Sequence, residues 1–185
     1  MKPEMKPEKA AITRMDVQIM IAVVFCYLTA TILDRVGMKF SYGEMKLEVI
    51  QKMTACISCL LCVQDSPKIS FNAGKNRLIV TAIGGLLGVS VAFLDGLIQN
   101  AWVMAFMVAV GVLLTLFCCK LAKVPYINAR IGGVTFVLVS CTLNGKARIW
   151  YAVFRFVSTL YGACIVLLVS WIFSVISKKL DRPEK

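Results

Sequence analysis

At 185 residues the chain has room for one domain, and 59% of those residues are hydrophobic, with a mean hydropathy of +0.79. Charged residues make up 17%, against about a quarter in ordinary soluble domains, which excludes a soluble globular fold. The formal charge of +11 sits on Lys and Arg at the ends of apolar runs, with no basic stripe interleaved with aromatics, so it reads as membrane orientation rather than a nucleic-acid surface.

Residues 1–14 open with the tandem MKPEMKPE. They lack the apolar core and cleavage site of a signal peptide and read as a disordered tail. Arg14 and Asp16 open the first span, uncharged from Val17 to Leu33. A polar connection, Asp34 to Lys52, follows, and Glu44 to Lys52 reads as the amphipathic start of the next helix. Met53 to Gln64 is the uncharged part of span two; its 12 residues rise about 18 Å, against a hydrocarbon thickness of about 30 Å. Asp65 to Arg77 reads as a polar, basic loop. Leu78–Leu94 is the third span and Ala101–Cys119 the fourth. Ile131–Leu143, after Pro125 and Arg130, is a second short span. Ile149–Ile176 is the sixth, with Arg155 its only charge, and residues 177–185 form a closing tail.

The predicted fold is therefore all-α: a polytopic membrane protein with six transmembrane helices within residues 15–176. With both termini cytoplasmic, fourteen Lys and Arg fall inside and six outside, Arg155 counted separately. That bias fits the positive-inside rule, although Lys146 and Arg148 run against it.

Two stretches share one pattern. Arg77-x3-Thr81-x2-Gly84 recurs as Arg155-x3-Thr159-x2-Gly162, 78 residues later. On a helix Arg77, Thr81, Gly84 and Gly88 fall at i, i+4, i+7 and i+11, one narrow face. Such a stripe in an apolar run should meet protein or water rather than lipid. The same offset places Lys52 on Arg130, Lys68 on Lys146, and Met53–Gln64 on Ile131–Thr142 without a gap. Halves of three spans, about 15–97 and 98–176, would enter the membrane in opposite directions. Inverted repeats with short spans at corresponding positions mark the substrate path in secondary transporters. The expectation is an anion path, with Arg77 at the cytoplasmic start of span three and Arg155 near the outer end of span six, one cation towards each mouth.

Each residue also has a plainer reading. For Arg77, at a helix entrance, it is snorkelling or a positive-inside anchor, and for Arg155, just after Trp150 and Tyr151, it is snorkelling to the interface. A pore-lining guanidinium would instead offer a carboxylate a permanently charged planar fork. Thr81 and Thr159 either bond substrate or return to their own backbone carbonyls. Gly84, Gly85, Gly88 and Gly162 read as helix-packing positions. Cys56-x2-Cys59-x2-Cys62 has an iron–sulfur-like spacing, but the apolar run and the lack of a downstream Cys-Pro partner favour small-residue packing. Asp65 and Asp95 read as proton or cation sites or as solvated helix ends. There is no histidine, no nucleophile beside a base and no pair of intramembrane acids, so no enzyme, cofactor or metal is expected.

Residues 62–88, CVQDSPKISFNAGKNRLIVTAIGGLLG, resemble the second-to-third-span signature of the aromatic acid exporter and fusaric acid resistance (FUSC-like) superfamily. Plant aluminium-activated malate channels are more distant members. The likeness spans about Ile12 to Ile176 and is carried by QDS and Arg-x3-Thr-x2-Gly. It implies a six-helix unit, often dimeric, in a bacterial-type inner membrane, passing aromatic or other organic carboxylates. By motif, Arg77 and Arg155 match arginines that line the anion pore of the malate channels. Three departures bear on substrate and regulation more than on fold. Val80 stands where the family commonly has Gly, and Asp16-Val17 where many relatives have a lysine. Most relatives also carry a large cytoplasmic domain where this sequence has nine residues after Ile176. The resulting expectation is a homodimer in the lipid bilayer, moving a small organic anion past Arg77, Arg155, Thr81 and Thr159. The alternative is a non-transporting accessory subunit.

Overall fold

The computed structural model describes residues 12–37, 39–42, 45–64, 66–98, 100–142 and 147–180; Asp65, Lys146 and most of both expected tails lie outside these. The described elements are α1 (Arg14–Arg35), β1 (Lys39–Tyr42), β2 (Met45–Glu48), α2 (Lys52–Cys62), α3 (Pro67–Ile98), α4 (Ala101–Leu121), α5 (Tyr126–Cys141) and α6 (Ala147–Leu180). Four of the helices, α1, α3, α4 and α6, are long and apolar enough to cross a membrane. The two short ones, α2 with 11 residues and α5 with 16, are the pair the sequence singles out. The class is the expected one, an all-α polytopic membrane protein.

Local chemistry sets the boundaries. At the start of α1, the Asp16 carboxylate accepts from the Thr13 N–H at 2.8 Å, while the Asp16 N–H donates to Thr13 Oγ1 at 3.3 Å. This reciprocal capping box satisfies two donors that a bare helix start would leave open. Asn100 caps α4 by accepting from the Trp102 N–H at 3.1 Å. The α4–α5 turn is made by Lys123 in the left-handed region (φ 56°), which lets the Val124 N–H return to the Cys119 carbonyl at 3.1 Å.

Three boundaries differ from the sequence reading. Residues 67–77 are helix rather than loop, so α3 is continuous for 32 residues. Pro67 takes the first helical position, where its fixed φ helps and its missing N–H costs nothing. The Ser66 hydroxyl accepts from the Ile69 N–H at 3.4 Å. Gly74 is tolerated mid-helix because another helix lies against it, as described below. Secondly, residues 45–48 do not begin a helix. Met45-Lys46-Leu47-Glu48 alternates with a period of two and pairs antiparallel with residues 39–42, Lys39 opposite Glu48 and Tyr42 opposite Met45. Lys52 then closes the hairpin onto α1, 2.8 Å from Asp34 and 3.5 Å from Glu48. Thirdly, α5 starts at Tyr126, five residues before the expected span, and α6 runs on to Leu180, past Ile176. Arg130, one turn into α5, lies over the Tyr126 ring at 4.8 Å.

The helices form two similar groups. In one, α2 packs between α1 and α6; in the other, α5 packs between α4 and α3; α3 crosses α6 where the groups meet. Each group has an apolar core. Ala22, Cys26, Ala55, Cys59 and Val166 build the first, and Val80, Cys119, Val124 and Ala129 the second. Large apolar side chains point outwards, among them Phe25, Leu28, Phe106, Leu113 and Phe117. Small residues inside and large ones outside is the pattern of helices packed in lipid, where close backbone approach replaces the hydrophobic drive.

Gly84 and Gly88 both press on α5: a Cβ on Gly84 would fall on the Gly132 carbonyl oxygen, and one on Gly88 would stand 2.9 Å from the Val139 side chain. Gly162 presses on α2, its Cβ position 2.5 Å from the Ala55 carbonyl oxygen. Gly85 is different, with Ala152 Cβ its nearest neighbour at 4.0 Å. Gly84→Ala should therefore cost about 1–3 kcal/mol of stability, because backbone must move, while Gly85→Ala is nearly neutral. Thermal unfolding of the two variants in detergent checks this; equal losses would contradict the packing described.

Candidate functional site

The crossing of α3 and α6 is fixed by two contacts between small residues. A Cβ on Gly74 would lie 3.4 Å from Ala163 Cβ, and one on Gly85 4.0 Å from Ala152 Cβ. The helices therefore run antiparallel. Moving either pair along the sequence by 78 residues gives the other pair, the same offset that relates the two Arg-Thr-Gly stripes.

Arg77 is the eleventh residue of α3 and Arg155 the ninth of α6. Given the pairing at the crossing, the two arginines lie about 8 Å apart along the axis, one on each side of its centre. They are within electrostatic reach of each other. Arg77 is 4% exposed and Arg155 7%, so neither head snorkels to the surface. Arg77 thus lies within a helix in the protein interior rather than at the end of a loop. The cause is the early start of α3, which carries Arg77 about three turns into the helix.

The two guanidiniums are equipped differently. Arg155 Nη1 donates to Thr54 Oγ1 of α2 at 3.3 Å and to the Tyr151 hydroxyl at 3.4 Å. Thr54 in turn donates to Gln51 Oε1 at 3.0 Å, and the Gln51 N–H donates to Ser158 Oγ at 2.7 Å, so the cation sits in a polar frame. Thr159 donates to the Arg155 carbonyl at 2.9 Å, the backbone-returning geometry. At Arg77 the frame is missing. Residues 78 positions from Thr54 and Tyr151 are Gly132 and Ala73, and Ile131 beside Gly132 adds no hydroxyl either. Arg77 Nε and Nη1 and the Thr81 hydroxyl are all buried without a hydrogen-bond partner among the described residues. Cys62, at the end of α2, is within electrostatic reach of Arg77. Among the described residues no carboxylate stands within salt-bridge distance of either arginine.

Sequence reasoning named Arg77, Thr81, Arg155 and Thr159 and missed Thr54 and Tyr151. Tyr151 carried a usable signal, since it precedes Arg155 by four residues and so shares its helix face. Thr54 carried none, because its role depends on how α2 meets α6. A second polar string was also missed. Gln18 of α1 donates to Ser170 of α6 at 2.7 Å, and Ser170 stands 3.4 Å from Ser70 of α3. The cysteine run serves packing: Cys59 and Cys62 lie in the first core, and Cys59 Sγ donates to the Gly162 carbonyl at 3.4 Å. Asp95 is in the last turn of α3, and Asp65 lies outside the described residues.

A family model described as fusaric acid resistance protein-like matches residues 40–169, well over half of the chain. The chain belongs to the fusaric acid resistance protein-like family. The match covers both short helices and both arginine stripes. No curated protein and no solved structure matches the chain. Membership in the fusaric acid resistance protein-like family, with the apolar helices, makes this a multi-pass membrane transporter rather than an enzyme.

A buried cation without partners costs stability, and one with good partners supports it. Replacing Arg155 by Met should lower thermal stability by about 1–3 kcal/mol, because Thr54 and Tyr151 lose their bonds in the interior. Arg77→Met should leave stability unchanged or raise it. Unfolding curves in buffer free of organic anions decide the matter; an equal loss in both variants would contradict the difference between the two sites.

Proposed function

We propose that the protein moves small organic anions, aromatic carboxylates among them, through a path that passes Arg77 and Arg155 where the two halves meet. The carrying observation is the pair of buried guanidiniums at one antiparallel crossing, with no carboxylate among the described residues in salt-bridge distance of either. Uncompensated charge inside a membrane protein is expensive and persists where function requires it. A guanidinium stays protonated and offers several fixed donors, which suits a carboxylate that must be drawn out of water and released again.

In this reading the halves are inverted repeats. Support comes from the recurrence of the Gly74–Ala163 contact as Gly85–Ala152, and from the matching placement of α2 on α6 and α5 on α3. Transporters built from inverted repeats hold their substrate between the halves, and the burial of both arginines beside the α3–α6 crossing supports a site there. The charge bias along the sequence supports cytoplasmic termini.

The test is flux of benzoate and malate in liposomes carrying the purified protein, wild type beside Arg77→Gln and Arg155→Ala. Wild-type protein should carry at least one of these anions, and each variant should lose about tenfold or more of the rate. Full rates in both variants, or no anion flux by the wild type, would contradict the reading.

A further inference from the structure

The two arginine stripes are alike in sequence but not in what surrounds them, and that difference assigns them different work. Arg155 donates from Nη1 to two protein oxygens. Among the described residues Arg77 Nε and Nη1 have no partner, and one helical turn further along the same face the Thr81 hydroxyl has none either. Arg77 and Thr81 are both more than nine-tenths buried. Thr159, the counterpart of Thr81, is occupied by its own backbone. The open groups thus stand together on α3, and all three are hydrogen-bond donors.

We propose that each chain holds one carboxylate at a time, on Arg77 and Thr81, and that Arg155 adds positive charge from its frame of Thr54 and Tyr151 without bonding the anion. The inference deepens the anion-transport reading and rests on it. Desolvating a carboxylate requires donors that replace its water, and an interior donor that already has a partner gains less by turning to a ligand. Among the described residues, Arg77 Nε and Nη1 and the Thr81 hydroxyl have no side-chain bond to give up, whereas Arg155 Nη1 would have to leave two. A carboxylate at Arg77 also answers the repulsion between the two guanidiniums, with no second anion needed nearby. Ala73, where the repeat carries Tyr151, keeps a competing hydroxyl away from Arg77.

The experiment is calorimetric titration of the detergent-solubilised full chain with benzoate, run beside benzoate flux in liposomes. Wild type should bind one benzoate per chain. Ala73→Tyr places a phenol one turn before Arg77, as Tyr151 stands before Arg155, and should weaken binding about tenfold with the charge unchanged. Thr81→Val, which keeps the side-chain shape and removes the hydroxyl, should weaken it to a similar degree. The double variant Thr54→Val, Tyr151→Phe should stay within about threefold of wild type, because the bonds it removes hold Arg155 rather than the anion. Binding that survives Ala73→Tyr and Thr81→Val but is lost in the double variant would overturn the assignment. So would two benzoates per chain, or none. Binding that depends on Arg77 and Thr81 in a protein that carries no flux would sink the transport reading and leave this site standing. Flux with binding indifferent to Ala73 and Thr81 would do the reverse.

Discussion

The close approach of α3 and α6 is the constraint on which the rest depends. Gly74 against Ala163 and Gly85 against Ala152 let two long helices cross with almost no side chain between them. A side chain much bulkier than alanine at any of the four positions would push the helices apart. With the crossing closed, Arg77 and Arg155 are carried into the middle of the protein, where both are almost wholly buried. The cost of holding two guanidiniums there falls on the fold, and the hydroxyls of Thr54 and Tyr151 offset part of it at one of them.

The short helices explain why only part is offset. Each lies in the angle between a long outer helix and the crossing, α2 beside α6 and α5 beside α3. Both pack by backbone approach, at Gly162 and at Gly84 with Gly88. But α2 brings Thr54 to Arg155, while the corresponding turn of α5 brings Gly132 close against Val80 and Cys119. At that place α5 has only a glycine, which brings no side-chain hydroxyl towards Arg77. The two short helices therefore pack in a similar way and differ in what they bring to the neighbouring arginine stripe.

Much of this plan was legible in the chain. The apolar runs gave the long helices, and the 78-residue echo marked the two stripes that meet at the crossing. The short pair stood out by length alone. What misled was charge and glycine: Lys68, Gly74, Lys75 and Arg77 resemble a loop, although Pro67 was available as a helix start. Lipid-facing and protein-facing residues cannot be told apart by polarity when both are apolar, so the depth of Arg77 was invisible. The hairpin was masked by a polar context in which Met45 to Glu48 fits a helix or a strand. The unequal framing of the arginines could not be read at all, because it depends on which face of α2 and of α5 turns inward.

The most direct test of the account is disulfide trapping across the crossing in native membranes, read by mass spectrometry of linked peptides. Cysteine pairs at Gly74 with Ala163, and at Gly85 with Ala152, have Cβ positions 3.4 and 4.0 Å apart, within the reach of a disulfide. The account predicts that both pairs link readily and that mixed pairs, Gly74 with Ala152 or Gly85 with Ala163, do not. Efficient linking of a mixed pair, or of neither correct pair, would contradict the antiparallel crossing and with it the shared interior of the two arginines.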